Sequence, residues 1–207
     1  MSEQVKTEKT KEKINMDPKY LIKLTLTLLI TCIIVAGLLG AVNHVTEGPI
    51  EAINLANTQA AMKEVVPDPA STFSDKLEIT DDMVTAAAAY KATVVEAYEV
   101  QVSGAPAGYA LKVSASGSQG AIVMMVGVDA DNTVTGVSIV SNSETPQIGS
   151  KVMSNENGVL DQFQGKNHAD GDLVVGTNVD AITGATVSTK GVTAGVNGAL
   201  AAAAVMG

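Results

Sequence analysis

The most apolar stretch of the chain runs from Leu24 to Val42 and reads LTLTLLITCIIVAGLLGAV, without a charged residue. At about 1.5 Å of rise per residue it would form a helix about 28 Å long, close to the thickness of a bilayer's hydrocarbon core. The alternative is a cleaved signal peptide, but its apolar core would be roughly 7 to 15 residues long and followed by an A-x-A site. The pattern favours an uncleaved transmembrane helix over residues 24–42, between a tail (1–23) and a domain (43–207).

Helical spacing of apolar residues continues after the span, in GPIEAINLANTQAAMKEVVPDP. Pro49 suits the first turn of a helix, because its ring fixes φ and its missing N–H would have no partner there. We expect this second helix to end at Pro67 and Pro69. The segment DDMVTAAAAYK predicts a further short helix, capped by Asp81 or Asp82.

The pattern then changes to runs of β-branched residues separated by Gly, Pro, Asn and Asp. The runs ATVVEAYEVQV, GYALKVSA, AIVMMVGVDA and TVTGVSIV predict antiparallel hairpins, with Asp131 and Asn132 as turn residues between the last two. The chain ends in an alanine-rich helix, KGVTAGVNGALAAAAVMG, which its three internal glycines weaken. One face of this helix carries Val192, Val196, Ala199, Leu200 and Ala203. The predicted fold class is α+β, an antiparallel sheet flanked by helices, behind a single N-terminal transmembrane helix.

Charge is distributed unevenly about the span. Residues 1–23 contain six lysines and four acidic residues, whereas residues 24–207 contain seven lysines and eighteen acidic residues. Because positive charge stays on the cytoplasmic side of a span, we expect the N-terminus in the cytoplasm and residues 43–207 outside the cell membrane. The tail has little to bury and is expected to be disordered. An acidic domain without arginine excludes nucleic-acid binding, which needs a cationic surface.

Several motifs that suggest chemistry lack the partners which that chemistry needs. His44 and His168 have no set of three or four converging ligands, and Cys32, the only cysteine, lies inside the span. DADNT lacks the glycine and glutamate of a calcium loop, and SGSQG lacks the context of a nucleotide-binding loop, so both predict turns. No G-x-S-x-G, G-x-G-x-x-G or iron–sulfur cysteine motif is present. We therefore predict no catalytic residue and no metal site.

The candidate chemistry lies in VDAITGATVSTKGV, residues 179–192. Seven consecutive positions carry four hydroxyl side chains, those of Thr183, Thr186, Ser188 and Thr189. The simplest interpretation is a loop that caps the last helix through Ser188 or Thr189. A helix start is also where unpaired backbone N–H groups and the helix dipole stabilise an anion such as a phosphate, here with Lys190 nearby.

Two motifs in the sequence resemble those of a known family. DAITGATVST resembles the flavinylation signature of covalent FMN-binding domains, in which an acidic residue precedes S/T-G-A-T. Residues 108–152 resemble the body of the same family and end in its E-T-P-x-x-G element, Glu144 to Gly149. This is the family of the G subunit of the Rnf complex, a membrane ferredoxin:NAD oxidoreductase, and it is similar to the C subunit of the sodium-pumping NADH:quinone reductase. The resemblance covers the chain from about residue 20 to its end.

The resemblance implies that a flavin transferase joins the phosphate of FMN to the hydroxyl of Thr186 as a phosphoester. Thr186 would then be modified rather than act in turnover, so it needs no base beside it. Asp180 would position the loop or be recognised by the transferase. The flavin ring is expected to pack on apolar side chains of the sheet, with the phosphate near the last helix. The other cofactor-binding residues that the resemblance implies are Thr183, Gly184, Ala185, Val187, Glu144 and Thr145.

Three residues depart from the family's H-x-E-T-P-G-L-G pattern. Asn142 stands in place of the histidine, and Gln147 and Ile148 stand in place of Gly-Leu. If position 147 needs a positive φ, glutamine is strained there. Glu144 and Thr145 are therefore carried over as flavin-pocket residues, and Asn142 is not.

The function that the resemblance implies is electron carriage, in a complex that couples electron transfer between ferredoxin and NAD to translocation of Na⁺ or H⁺. The protein would not be catalytically complete alone. Its partners would be the other Rnf subunits, including polytopic membrane subunits, the flavin transferase during maturation, and the lipid bilayer. Two alternatives stay open: an anchored flavoprotein of another exported electron-transfer chain, and a non-redox anchored sensor or binding module in which TGATVST is only a loop.

Overall fold

The computed structural model describes residues 18–66 and 68–206, and the chain divides into two compact units, Met1–Glu51 and Ala52–Gly207. Most of the predicted disordered tail falls on residues 1–17, outside the described residues, so its disorder stays a prediction. Residues 18–23, the end of that segment, are helical.

One helix, α1 (Pro18–Val65), contains the whole predicted span. It is long and apolar enough to cross a membrane, and its apolar side chains in that stretch are exposed. The hydroxyls of Thr25 and Thr27 donate to the carbonyl oxygens of Leu21 and Lys23, at 2.9 and 2.8 Å. These polar side chains are therefore satisfied within the helix, as a hydrocarbon environment requires.

The prediction of a separate helix that starts at Pro49 is wrong, because α1 continues through this residue. A proline inside a helix removes one backbone hydrogen bond, yet the helix can continue, usually with a bend. The helix ends at Val65, close to the predicted end; Pro67 lies outside the described residues.

In the described part of the chain, five strands form one antiparallel sheet in which neighbours in sequence are neighbours in space. The strands are β1 (Ser71–Phe73), β2 (Ala92–Val102), β3 (Ala105–Ser116), β4 (Ala121–Asp129) and β5 (Val134–Asn142). The four predicted strands and their antiparallel pairing are confirmed. The edge strand β1 was missed, because three residues are too few to establish an alternating pattern.

Both predicted turns of the sheet are confirmed. Between β4 and β5, the Asp129 carboxylate accepts the N–H groups of Asp131 and Thr133, at 3.0 and 2.9 Å. Between β3 and β4, the N–H of Gly117 donates to the carbonyl oxygen of Gly120 at 2.7 Å. The motifs DADNT and SGSQG thus serve as hairpin turns.

A short helix, α2 (Asp81–Ala89), packs against the sheet and the last helix. Its cap is not Asp81 or Asp82, as predicted, but Thr80, whose hydroxyl oxygen accepts the N–H of Met83 at 3.3 Å. The two aspartates lie in the first turn instead, where the helix dipole favours negative charge.

The last helix, α4 (Thr186–Ala204), lies on the same face of the sheet and is buried on almost every side rather than along one face. It begins at Thr186, earlier than the predicted start at Lys190. Gly191 lets it approach the backbone of Ser116 in β3 closely. The residues predicted to face the core all do so: Val192, Val196, Ala199, Leu200 and Ala203.

The opposite face of the sheet is covered by the end of α1. There Ala61, Met62 and Val65 pack with Val100 and Met125 in a second apolar cluster. The sheet therefore has helices on both faces, and the α+β prediction is confirmed.

The long connection from β5 to α4 positions the candidate site. It contains α3 (Ser150–Met153) and three single turns of 3₁₀-helix. The N–H of Val134 donates to the carbonyl oxygen of Lys166 at 2.9 Å, and the N–H of Gly165 donates to the carbonyl oxygen of Val134 at 2.8 Å. These two hydrogen bonds hold the connection against the edge strand β5. Both family motifs lie in this connection or at its ends.

Candidate functional site

The segment TGATVST makes a tight turn directly before α4. The N–H of Ala185 donates to the carbonyl oxygen of Ile182 at 2.9 Å, so Thr183 and Gly184 occupy the two central turn positions. Gly184 has a φ of +83°, a left-handed conformation that glycine adopts without strain. This turn brings the chain into α4 with Thr186 as the first helical residue.

Two of the four hydroxyl groups in this segment are buried. Ser188 donates to Oε2 of Glu144 at 2.5 Å, and Thr189 donates to the carbonyl oxygen of Ala185 at 3.1 Å. The prediction that Ser188 or Thr189 caps α4 is therefore wrong. The N-cap residue is Ala185, which has no side-chain oxygen to accept a hydrogen bond.

Of these four residues, Thr183 and Thr186 are the exposed ones, so theirs are the hydroxyl groups of the segment that a modifying enzyme can reach. Thr186 lies in the first turn of α4, where backbone N–H groups have no intrahelical partners and no side chain caps them. Thr186 therefore combines an accessible oxygen with N–H donors that suit an anion.

The E-T-P-x-x-G element forms a loop after β5 that is held by hydrogen bonds of its own. The N–H groups of Ile148 and Ser150 both donate to the carbonyl oxygen of Thr145, each at 3.2 Å. The N–H of Gln147 donates to the Ser150 hydroxyl oxygen at 2.7 Å. Gln147 has a φ of +62°, so this position does adopt the left-handed conformation that strains a residue with a Cβ.

Glu144 is the buried charge of the site, with 7 % of its surface exposed. Its Oε1 accepts the backbone N–H groups of Ser118 and Gln119, at 2.7 and 3.2 Å, and its Oε2 accepts the Ser188 hydroxyl. Its own N–H donates to Oδ1 of Asn142 at 3.1 Å. These donors compensate the cost of burying a carboxylate.

The two motifs line one small cavity of about 160 Å³. The lining residues are Ser118, Glu144, Thr145, Ile148, Gly149, Gly184, Ala185, Thr186, Val187 and Ser188. The structure thus brings together most of the predicted site residues. The cavity is smaller than the roughly 300–1,000 Å³ of sites that enclose a whole drug-sized ligand, so only part of an FMN molecule fits inside it. Ile148 and Val187, both more than half exposed, supply apolar surface at its rim.

Asp180, Thr183 and Lys190 lie outside this cavity. Asp180 and Thr183 line a neighbouring cavity of about 480 Å³. The backbone N–H and carbonyl of Asp180 bind the side-chain amide of Gln162, at 2.6 and 2.9 Å, and its carboxylate is exposed. Lys190 is exposed, four residues beyond Thr186 on α4, which places the two side chains on the same side of the helix.

Ser118 and Gln119 are the site residues that sequence reasoning missed. They contribute backbone N–H groups from the β3–β4 turn. Every residue except proline has such a donor, so residue type does not show which ones a site uses. SGSQG was identified only as a turn. Its glycines were the available signal, because they permit close approach of another group to the backbone.

No group of His, Cys, Asp and Glu suited to a metal ion occurs in residues 18–66 and 68–206. His168 contacts the ring of Tyr90 edge-on, with 6.5 Å between the ring centroids. The Tyr90 hydroxyl donates to Oδ1 of Asp172 at 2.7 Å, and this hydrogen bond, together with burial and the aspartate charge, raises the pKa of Tyr90. An aromatic contact and a hydrogen bond therefore account for this cluster.

Comparison with known proteins gives four findings. Residues 117–201, which include both motifs, match the family described as FMN-binding domain. The chain is 34 % identical to the G subunit of the Na⁺-translocating ferredoxin:NAD⁺ oxidoreductase complex of Acetobacterium woodii, over 91 % of this chain and 94 % of that one. It is 31 % identical to the G subunit of the ion-translocating oxidoreductase complex of Methanosarcina acetivorans, over 85 % and 90 %. Among solved structures, the C subunit of the Na⁺-translocating NADH-quinone reductase of Parabacteroides distasonis matches with a TM-score of 0.48, 21 % identity, and 74 % and 92 % coverage.

Proposed function

Because the chain belongs to the G-subunit family of ion-translocating oxidoreductase complexes, the Rnf complexes, we propose that it carries FMN as a phosphoester on Thr186. It is an FMN-binding electron-transfer subunit of such a complex. The complex couples electron transfer between ferredoxin and NAD to translocation of Na⁺ or H⁺. This protein relays electrons and relies on its partner subunits for the ferredoxin and NAD sites.

The observation that carries this proposal is the position of the Thr186 hydroxyl. It is exposed at the first residue of α4, at the edge of a cavity whose walls come from both family motifs. Ser188 and Thr189 are buried and engaged, so they are poor acceptors for a transferase. The exposed Thr183 lines a different cavity.

The residues present fit a phosphate bonded to Thr186. The first-turn N–H groups of α4 are uncapped and suit its negative charge, and Lys190 adds a positive charge on the same side of the helix. Glu144 and Thr145 form the facing wall, and Ile148 and Val187 offer apolar surface for the ring at the rim. FMN, when bound, supplies one- and two-electron chemistry.

A covalent bond prevents loss of the cofactor from a domain outside the membrane. A freely dissociating cofactor on the outer side of a membrane would be lost by dilution, whereas a tether keeps its local concentration high. The transferase supplies the catalytic groups and takes FMN from a dinucleotide donor, FAD: the Thr186 oxygen attacks the phosphorus of the FMN half, the diphosphate bond breaks, AMP leaves, and the hydroxyl proton passes to the transferase. Asp180 and Thr183, which line the neighbouring cavity, are the residues proposed to contact the transferase. Gly184 and Ala185 leave the approach to Thr186 uncrowded.

We propose that α1 anchors the protein as a single membrane span, with the N-terminus in the cytoplasm and residues 43–207 outside. The apolar, exposed stretch of α1 and the lysines before it support this orientation. Its partners are the other Rnf subunits, including polytopic ones, and the surrounding lipid. The exposed helix surface is available for both.

The proposal is tested by the activity of membranes that contain the whole complex. Thr186→Ala should abolish ferredoxin-dependent NAD⁺ reduction while the complex still assembles, because the substitution removes the attachment oxygen and a methyl group from an exposed residue. Thr177→Ala removes an exposed hydroxyl from the same connection and should leave the activity unchanged. Assembly is checked by co-purification of the other subunits. Full activity of an assembled Thr186→Ala complex would refute the electron-relay function.

A further inference from the structure

Glu144 joins three segments that are distant in sequence. Its Oε1 accepts the N–H groups of Ser118 and Gln119, which lie 26 and 25 residues earlier in the β3–β4 turn. Its Oε2 accepts the hydroxyl of Ser188, 44 residues later in the first turn of α4. Glu144 itself lies in the loop after β5. All three segments line the cavity below Thr186.

The surroundings of Glu144 are shaped to admit its carboxylate. A Cβ added to Gly117 would overlap Oε1, and a Cβ added to Gly149 would overlap Oε2. Gly149 has a φ of −66°, which any residue adopts, so its backbone conformation does not require glycine. The side chains of Glu144 and Ser188 therefore leave no room for a Cβ at this end of the E-T-P-x-x-G element.

We propose that Glu144 is a positioning residue that holds the cavity and the start of α4 in the geometry that presents Thr186 for flavinylation. Both carboxylate oxygens are engaged by the protein, so Glu144 acts through the backbone of the β3–β4 turn and through Ser188 rather than through contact with the flavin. The effect on flavinylation rests on the proposed function. The hydrogen bonds by which Glu144 joins the three segments can be tested in protein without FMN.

The first test is amide hydrogen exchange on the full chain in detergent, without FMN. Glu144→Ala should speed exchange at the N–H groups of Ser118 and Gln119 by about tenfold or more, since each loses its acceptor. Glu144→Gln retains an oxygen for these donors and should keep their protection within about twofold of the native chain. Unchanged exchange at both amides in Glu144→Ala would overturn the proposal.

The second test is the initial rate at which a flavin transferase moves FMN from FAD to Thr186, with release of AMP, read by mass spectrometry of the protein. Glu144→Ala and Gly149→Ala should both slow incorporation by about tenfold, because the second displaces the carboxylate that the first removes. Glu144→Gln should restore the rate to within about twofold, since the amide can still bind both segments. A Gln variant as slow as the Ala variant would show that charge, not position, is needed, and would overturn the proposal.

Ser188→Ala is the control for the possibility that Glu144→Ala simply fails to fold. It removes only the link to α4, and Ser118 and Gln119 should stay protected while incorporation slows less than in Glu144→Ala. If Ser188→Ala and Glu144→Ala, each as a single variant, both incorporate FMN at the rate of the native chain, the proposal is contradicted. If the native chain accepts no FMN, the proposed function fails, while the exchange data still decide whether Glu144 joins the segments.

Discussion

Gln147 occupies a backbone conformation that favours glycine. Its φ of +62° brings the Cβ close to its own backbone, at a cost of about 1 kcal/mol, and its side chain is exposed. The hydrogen bond from its N–H to Ser150 holds this conformation. Gln147→Gly should therefore raise the free energy of unfolding by about 0.5–1 kcal/mol.

The measurement is urea unfolding of the full chain in detergent. Gln147→Ala is the matched control, because it shortens the side chain but keeps the Cβ and should give no gain. A stabilisation by alanine equal to that by glycine would show that φ is not the source of strain.

Glu96, on β2, has a perturbed pKa. The Tyr98 hydroxyl donates to it at 3.0 Å, and Lys112 and Lys76 lie at 3.4 and 3.5 Å. Burial acts to raise the pKa of Glu96, but the hydrogen bond and the two lysine charges outweigh it and hold the pKa below its ordinary value. Burial, and then the bond to charged Glu96, raises the pKa of Tyr98 to about 12.

The lowered pKa of Glu96 sets the direction of a pH effect on stability. The charged form is favoured by folding, so its contribution is present above the ordinary carboxyl pKa and lost as pH falls through the lowered value. The difference in free energy of unfolding between the native chain and Glu96→Gln should shrink between about pH 6 and pH 3. Urea midpoints at each pH measure it, and a difference independent of pH would contradict the prediction.

Single residues were predicted well where their chemistry is local. The turn at Gly184 and the strained backbone of Gln147 could be predicted from the residues next to them in sequence. The partner of Ser188 could not, because Glu144 lies 44 residues away and a cap was the more common role for a serine at a helix start.

In helix α4, glycine at position 191 stabilises the fold, whereas glycine inside a helix usually lowers stability. Isolated helices lose about 1 kcal/mol per internal glycine relative to alanine, and the sequence was interpreted in that way. In the fold, a Cβ on Gly191 would lie 2.6 Å from the backbone oxygen of Ser116. A backbone atom cannot move aside as a side chain can, so Gly191→Ala should destabilise the chain by about 1–3 kcal/mol.

Thermal and urea unfolding measure this change. Lys190→Ala, at the exposed neighbouring position, should alter stability by less than about 0.5 kcal/mol. A stabilised Gly191→Ala variant would mean that helix propensity outweighs packing between α4 and β3.

The helices and strands were predicted where the residue pattern is long. β2 begins and ends where the sequence predicted it, because an eleven-residue run rich in β-branched residues leaves little ambiguity. The continuity of α1 was missed, since Pro49 and Gly48 together are typical of a break. The early start of α4 was missed because Thr186 to Thr189 have low helix propensity, which the burial of Ser188 and Thr189 overrides.

The orientation of the whole chain is predicted by its charge distribution. In a Cys32→Ser background, Ala130→Cys places a thiol in the exposed β4–β5 turn. A membrane-impermeant maleimide should label it in intact cells, and should label Ser2→Cys only after lysis. The reverse result would place the domain in the cytoplasm.

The site as a whole depends on contacts that span the connection from β5 to α4. Sequence identified both motifs and their order, but it could not predict that the β3–β4 turn completes the cavity. That contact arises from the meander order of the sheet, which sets the turn beside the loop after β5.

The most direct test of the central claim is tandem mass spectrometry of the mature full chain, co-expressed with a flavin transferase and digested. The account predicts one FMN on the peptide that contains Thr186, fragmentation that assigns it to this residue, and no FMN on the Thr186→Ala variant. An unmodified peptide, or FMN attached to Thr183 instead, would contradict it.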